Sequence, residues 1–334
     1  MRGVLSVMVL GLLGTTARAN TPDSGTWDKI WAGVTVAQKV LKIARPALTK
    51  SASNDWGLTS VPTPPFPNKR LVVVLHGLHS SPETTSARFL IPEIEKKGLK
   101  AVLFSYPNDQ PIADSAKMLS TELKKLTRQF PGLKVTLIGK SMGGLVIRDA
   151  VERPNSPRNV DKVIQIATPN QGSRLASFAF ALEVWEHVVD AEDLGLSNIY
   201  DSIKDGLGEA ADDLSPGSPF LKTLNGRPRN QAISYSIFLG DRGYLTEEQL
   251  AVLRTGLNIG SERLASLLKV DLTQMLADLN DLDEVLAGKG DGAVSIERGR
   301  LAGVSDTVVM HFDHLGASEN HHQLRQAVLS RLIP

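Results

Sequence analysis

The run Lys134-Val-Thr-Leu-Ile138 is short, apolar and β-branched, and it gives way at once to Gly139-Lys140-Ser141-Met142-Gly143-Gly144 and then to Leu145-Val146-Ile147. A strand that turns directly into a helix brings the two elements into near contact, and side chains beside the turn collide with one or the other. Glycines at 139, 143 and 144 therefore predict a tight, strained turn with Ser141 at its apex. Such a turn lifts the Ser141 hydroxyl above the sheet and sets it at the start of a helix, whose dipole favours negative charge developing there. A chain containing this segment is committed to strands feeding directly into packed helices.

The rest of the chain repeats that alternation from Arg70 onward. Strands are expected at 71–75, 101–105, 134–138, 161–166, 232–239 and 306–310. Helices are expected at 86–97, 113–129, 142–152 and 319–332, which supplies the crossovers of a parallel sheet and makes the fold class α/β. Two long helical stretches, 173–225 and 245–287, exceed ordinary connections and are read as insertions forming a cap above the sheet. With 42% apolar and 22% charged residues in 334, the chain has enough apolar material for one large core, and a single catalytic domain over 70–334 is the expectation.

The first 69 residues read differently. Met1-Arg2, the apolar run Gly3 to Gly14 and the small-x-small triplet Ala17-Arg18-Ala19 read as a secretory signal, cleavage being expected after Ala19 and the mature protein secreted or periplasmic, with an uncleaved anchor as the alternative. Trp27, Ile30, Trp31, Val34, Ala37, Leu41 and Ala44 then recur at helical spacing, with basic residues elsewhere on the wheel. That amphipathic helix suits either the protein's own fold or peripheral contact with a membrane or lipid surface. Val61-Pro-Thr-Pro-Pro-Phe-Pro67 denies the chain helical geometry and reads as an extended linker. There is no cysteine, so no disulfide or lipidated thiol is available, and a net charge of +1 without like-charge blocks gives no nucleic-acid footprint.

Several segments taken in order resemble the α/β-hydrolase superfamily, in particular its bacterial lipases and esterases. They are His76-Gly77 after a strand, Gly139 to Val146, Thr168-Pro169-Asn170-Gln171-Gly172-Ser173, Gly290-Asp291-Gly292 and Asp313-His314-Leu315-Gly316. The resemblance spans roughly residues 70 to 330. It implies a mostly parallel sheet with helices on both faces and a helical cap or lid, Ser141 as nucleophile, and backbone amides of Leu78 and Met142 as an oxyanion hole.

By the same resemblance the base follows the last strand. Of the histidines at 76, 79, 187, 311, 314, 321 and 322, His314 matches the catalytic loop best, with His311 as fallback. Asp291 in its glycine loop is the expected acid, with Asp241 as runner-up and an ordinary Asp-Gly turn as the alternative. The order Ser141, Asp291, His314 is that of the superfamily. His76 is expected to brace its loop.

Two departures matter. Lys140 stands where these lipases usually carry histidine, and Gly316 stands where calcium-dependent ones carry aspartate, so calcium is not carried over. No cofactor or metal is expected. Leu175, Phe178, Ala179, Phe180, Leu182, Val184 and Trp185 would line an acyl-chain pocket if a cap helix presents them over Ser141, or bury against the sheet. The implied activity is hydrolysis of a carboxylic ester or acyl lipid; acyl transfer on the same triad and non-catalytic lipid binding are the alternatives.

Overall fold

The computed structural model describes residues 25–26, 28–29, 32–33, 35–36, 56–60, 63–78, 80–107, 110–174, 209–268, 281–314 and 322–332. The signal, most of the amphipathic helix, the apolar stretch 175–208, His79, His187, His321 and Gly316 lie outside them.

Seven strands among the described residues form one sheet in the order β1-β3-β2-β4-β5-β6-β7. They are β1 (Gly57–Leu58), β2 (Arg70–Leu75), β3 (Lys100–Ser105), β4 (Lys134–Lys140), β5 (Val160–Ile166), β6 (Ser234–Gly240) and β7 (Thr307–Met310). All neighbouring pairs are parallel except β1 with β3. Helices α1 (Leu90–Lys96), α2 (Ile112–Gln129), α3 (Met142–Val151), α4 (Pro219–Asn225), α5 (Glu247–Leu268), α6 (Ile296–Gly299) and α7 (His322–Leu329) connect and cover them. No described helix is long and apolar enough to cross a membrane.

The strands' alternation builds two cores, since successive side chains of a strand point to opposite faces. Leu71, Val73 and Leu75 of β2 face one apolar cluster with Leu119 and Leu123 of α2, Leu145 of α3 and Leu221 of α4. Val72 and Val74 face the other, with Leu90 and Ile94 of α1 and Leu324 and Val328 of α7. Being covered on both faces is why these strands read as unbroken apolar runs. Each fully buried Val or Leu contributes about 1.5–3 kcal/mol of transfer energy.

Three differences from the sequence reading have physical causes. The sheet gains β1 within the stretch assigned to the N-terminal section, because Gly57 and Leu58 pair with Ser105 and Phe104 without any pattern of their own. Strand β6 starts at Ser234 rather than 232, because the Asn230 side chain accepts from Ala232 N at 3.0 Å and its carbonyl accepts from Ile233 N at 3.1 Å, which makes a turn there. The described end of the first cap insertion belongs to the body of the fold: Ala210, Leu214, Leu221 and Leu224 join the same cluster as the sheet, and Asp213 accepts from Ile112 N at 2.9 Å at the start of α2.

Residues 25–36, where described, are helical and lie against α5. A Cβ added to Gly33 would stand 2.8 Å from Cα of Gly256, so two glycines let the backbones cross closely. At that crossing the amphipathic segment covers the protein's own fold.

Candidate active site

Strand β2 is followed by a connection to β3 on one side and β4 lies on its other side, so the carboxyl ends of β2 and β4 flank a switch in strand order. Open α/β sheets bind ligands at such a crevice. Ser141 leaves the end of β4 there. Its φ of 53° and ψ of −129° are a strained conformation for a residue with a side chain, held by Ser141 N donating to the Ile166 carbonyl at 2.8 Å.

The three glycines have separate reasons. A Cβ on Gly139 would meet Gly144 N at 2.5 Å, one on Gly143 the His76 carbonyl at 2.4 Å, and one on Gly144 the Thr168 Oγ1 at 2.0 Å. The turn is thus pressed against its own helix, the β2 loop and the β5 loop together. Lys140 pairs with Ile166 as the last residue of β4 and is largely buried. Met142 is fully buried as the first residue of α3.

The loop after β2 runs beside the serine, since a Cβ on Gly77 would lie 3.0 Å from Ser141 Cβ and 3.5 Å from its Oγ. Leu78 follows, half-buried against the core. His76 supports this loop. Its ring stacks on Tyr106 at 4.1 Å between centroids, Nδ1 lies 3.0 Å from the Gly77 carbonyl, and Nε2 accepts from Tyr106 N at 3.4 Å. The Tyr106 hydroxyl donates to the His76 carbonyl. Burial lowers the His76 pKa to about 4, so the ring is neutral, with the proton on Nδ1 directed at Gly77.

Asp291 sits in the segment just before α6, and its side chain is shut off from solvent. A Cβ on Gly240, at the end of β6, would lie 2.6 Å from Asp291 Cβ, so that glycine lets the loop reach the sheet's carboxyl edge. Asp291 Oδ1 accepts from Ala293 N at 3.0 Å and Val294 N at 2.8 Å, while Oδ2 lies 2.9 Å from Nδ1 of His314. The backbones are joined too, with His314 N donating to the Asp291 carbonyl at 2.7 Å.

The fallback residues form a pair of their own. His311 Nδ1 lies 2.9 Å from Asp241 Oδ1. The two pairs differ in setting: the His311 side chain is 75% exposed and that of His314 12%. Only the His314 pair has a sequestered carboxylate already held by two amides.

A buried polar lattice that no sequence pattern marks lies behind the turn. Asn170 accepts from Gln165 Nε2 and Arg148 Nη1, both at 3.2 Å, and donates to Gln165 Oε1 at 2.9 Å and the Gly299 carbonyl at 2.8 Å. Gln165 also donates to the Gly144 carbonyl at 3.2 Å. Glu284 does the equivalent for the Asp291 loop. Its carboxylate accepts from Arg174 N at 2.9 Å and Arg298 Nη1 at 2.7 Å, and its carbonyl accepts from Gly292 N at 2.7 Å. Burial pushes the Glu284 carboxyl above its ordinary range, against the pull of the Arg174 amide and the Arg298 charge.

A mostly parallel sheet with helices on both faces, carrying a serine on a strained strand-to-helix turn and a part-buried His–Asp pair at the same edge, defines the α/β-hydrolase fold. The fold of the chain is thus that of the α/β-hydrolases. The family model for palmitoyl protein thioesterase matches residues 71–235. The mature form of a Bacillus licheniformis lipase is similar in structure, at 22% identity and a TM-score of 0.52 over 84% of this chain and 99% of that one. The propeptide form of that lipase matches at 21% identity and a TM-score of 0.55, over 84% of this chain and 54% of the other. No curated protein matches the sequence.

Proposed function

We propose that this protein is an exported serine hydrolase of carboxylic esters, with Ser141 as nucleophile, His314 as general base, Asp291 as the carboxylate that orients it, and the amides of Leu78 and Met142 as oxyanion donors. The observation that carries the reading is the part-buried Asp291–His314 bond of 2.9 Å at the same sheet edge as the strained Ser141 turn. In that arrangement Asp291 fixes the proton on Nδ1 and leaves Nε2 as the basic nitrogen.

Ser141 Oγ adds to the ester carbonyl and gives its proton to His314 Nε2. The tetrahedral oxyanion is held by the two amides and by the N-terminus of α3. Collapse expels the alcohol, which takes the proton from His314 and leaves an acyl-enzyme. Water, deprotonated by His314, then releases the acid and restores Ser141. Asp291 stabilises the imidazolium without taking the proton.

The match to palmitoyl protein thioesterase favours a second reading of the substrate, a long-chain thioester. The chemistry is the same with a thiolate leaving group. Initial rates across p-nitrophenyl esters of short to long acyl chains, beside matched S-acyl thioesters, separate the two readings. A signal that Ser141→Ala removes is expected; full activity in that variant would overturn the mechanism. Export with cleavage after Ala19 is checked by N-terminal sequencing of the mature protein.

A further inference from the structure

At the amino ends of β5 and β6, at the opposite end of the strands from Ser141, the described residues line an open cavity of about 420 Å³. Lys162 in the lining is separated from Ile166, whose carbonyl holds the serine turn, by four residues of strand, or about 13 Å. The cavity is therefore distinct from the site above. Its wall holds Lys162, Arg229, Arg331 and one carboxylate, Asp306.

The nearby carboxylates are already engaged. Asp306 accepts from Arg331 Nη2 at 2.9 Å and Nε at 3.2 Å, and from Ser236 Oγ at 2.6 Å. Asp161, beside Lys162 in sequence, accepts from both terminal nitrogens of Arg70 at 2.8 Å. Two arginines are thereby matched by two acids, and Lys162 and Arg229 are left as surplus positive charge facing one cavity.

Both surplus cations are seated rather than extended into solvent. A Cβ on Gly303, at a φ of +74°, would stand 2.7 Å from Arg229 Nη2, so a glycine admits the guanidinium against the 301–306 loop. Lys162 Nζ donates to the Arg331 carbonyl, which anchors the ammonium and leaves two of its three N–H groups for another acceptor. Burial and the charge of Arg70 hold its pKa below the ordinary lysine value, against the pull of Asp161 and Asp306. The Ser234 hydroxyl adds a polar group to the same wall.

We infer that this cavity is a binding site for a phosphate-bearing anion, held between the Arg229 guanidinium and the Lys162 ammonium. Two fixed cations about a polar cavity match a multivalent oxyanion, whose oxygens accept charge-assisted hydrogen bonds from a guanidinium fork and an ammonium together. Either a soluble phosphate compound or a lipid phosphate headgroup supplies that chemistry.

Calorimetric titration of the full chain with pyrophosphate at low salt tests the site, beside flotation with phosphatidylglycerol vesicles and phosphatidylcholine controls. One saturable site is expected, weakened about tenfold or more by Arg229→Gln and by Lys162→Gln, with p-nitrophenyl ester hydrolysis unchanged. Flotation of the wild type with anionic vesicles, lost in Arg229→Gln, identifies a lipid phosphate; pyrophosphate binding without flotation identifies a soluble one. If neither probe binds in a manner that depends on Arg229 or Lys162, the proposal is wrong. Unchanged thermal melting shows that each variant is folded, and the two variants test the site independently.

Discussion

At the scale of single residues, the site turns on which of two similar His–Asp pairs is equipped for proton transfer. Asp291 has one oxygen held by two amides and the other by His314, so its lone pairs are fixed before substrate arrives. Asp241 and His311 share a bond of the same length, but the imidazole is open to water. Exposed pairs of this kind contribute little, because solvent screens them. Asp291→Asn is thus expected to lower kcat by roughly 10³–10⁴-fold by presenting the wrong imidazole tautomer. Asp241→Asn and His311→Ala are expected to leave kcat within about twofold. Steady-state kinetics of the three variants, each checked for unaltered melting, decides the assignment; a large loss in His311→Ala with little in Asp291→Asn would reverse it.

This is also the scale at which the sequence is most and least legible. Ser141 can be read in advance because glycines at 139, 143 and 144 answer steric contacts that any such turn must make. His314 and His311 are only three residues apart on one loop, and burial separates them in a way that residue type does not reveal. Glu284 carries no signal at all, since its partner Arg174 lies 110 positions away and only the fold brings them together.

At the scale of elements, the proposed catalytic geometry depends on how closely loops approach strand ends. Gly240 closes β6 where the Asp291 loop and the Phe312 backbone converge, and an added Cβ would lie 2.4 Å from the Phe312 carbonyl and 2.6 Å from Asp291 Cβ. Gly240→Ala must push the acid loop and the base loop off the strand. A displacement of about 1 Å at a reacting centre costs on the order of 10²-fold in rate. The variant is expected to lose activity to that extent while binding substrate with an unchanged KM; wild-type kcat would show that the loops do not depend on this approach. Helices and strands were readable here because each carries its own period, whereas β1 was not. Gly57 and Leu58 are a strand only because the edge of β3 offers them a partner.

For the whole molecule, the sheet has two apolar faces and one chemically equipped edge, and its stability is tied to pH through that edge. His76 titrates near 4 in the folded chain and near 6.5 when unfolded. The unfolded state therefore binds the extra proton between those values, and this contribution to stability is complete above about pH 6.5 and lost as pH falls toward 4. The linkage is on the order of 3 kcal/mol. Denaturant unfolding at pH 7 and pH 5 is expected to show a loss in the wild type that is smaller in His76→Asn. Taking the difference between the two proteins cancels the buried carboxylates, and equal losses in both would contradict a buried neutral His76. The parallel order of the sheet follows from alternation visible in the sequence. The placement of 209–225 in the core does not, because Leu214, Leu221 and Leu224 repeat at a spacing that a cap helix and a core helix share.

The proposed mechanism stands on Ser141 as the nucleophile, and labelling of the purified protein with a fluorophosphonate, followed by intact mass and peptide mapping, reads that residue out. A single adduct on Ser141, slowed strongly in His314→Ala and absent in Ser141→Ala, is the expected result. An adduct on another residue, or labelling that persists in Ser141→Ala, would contradict it.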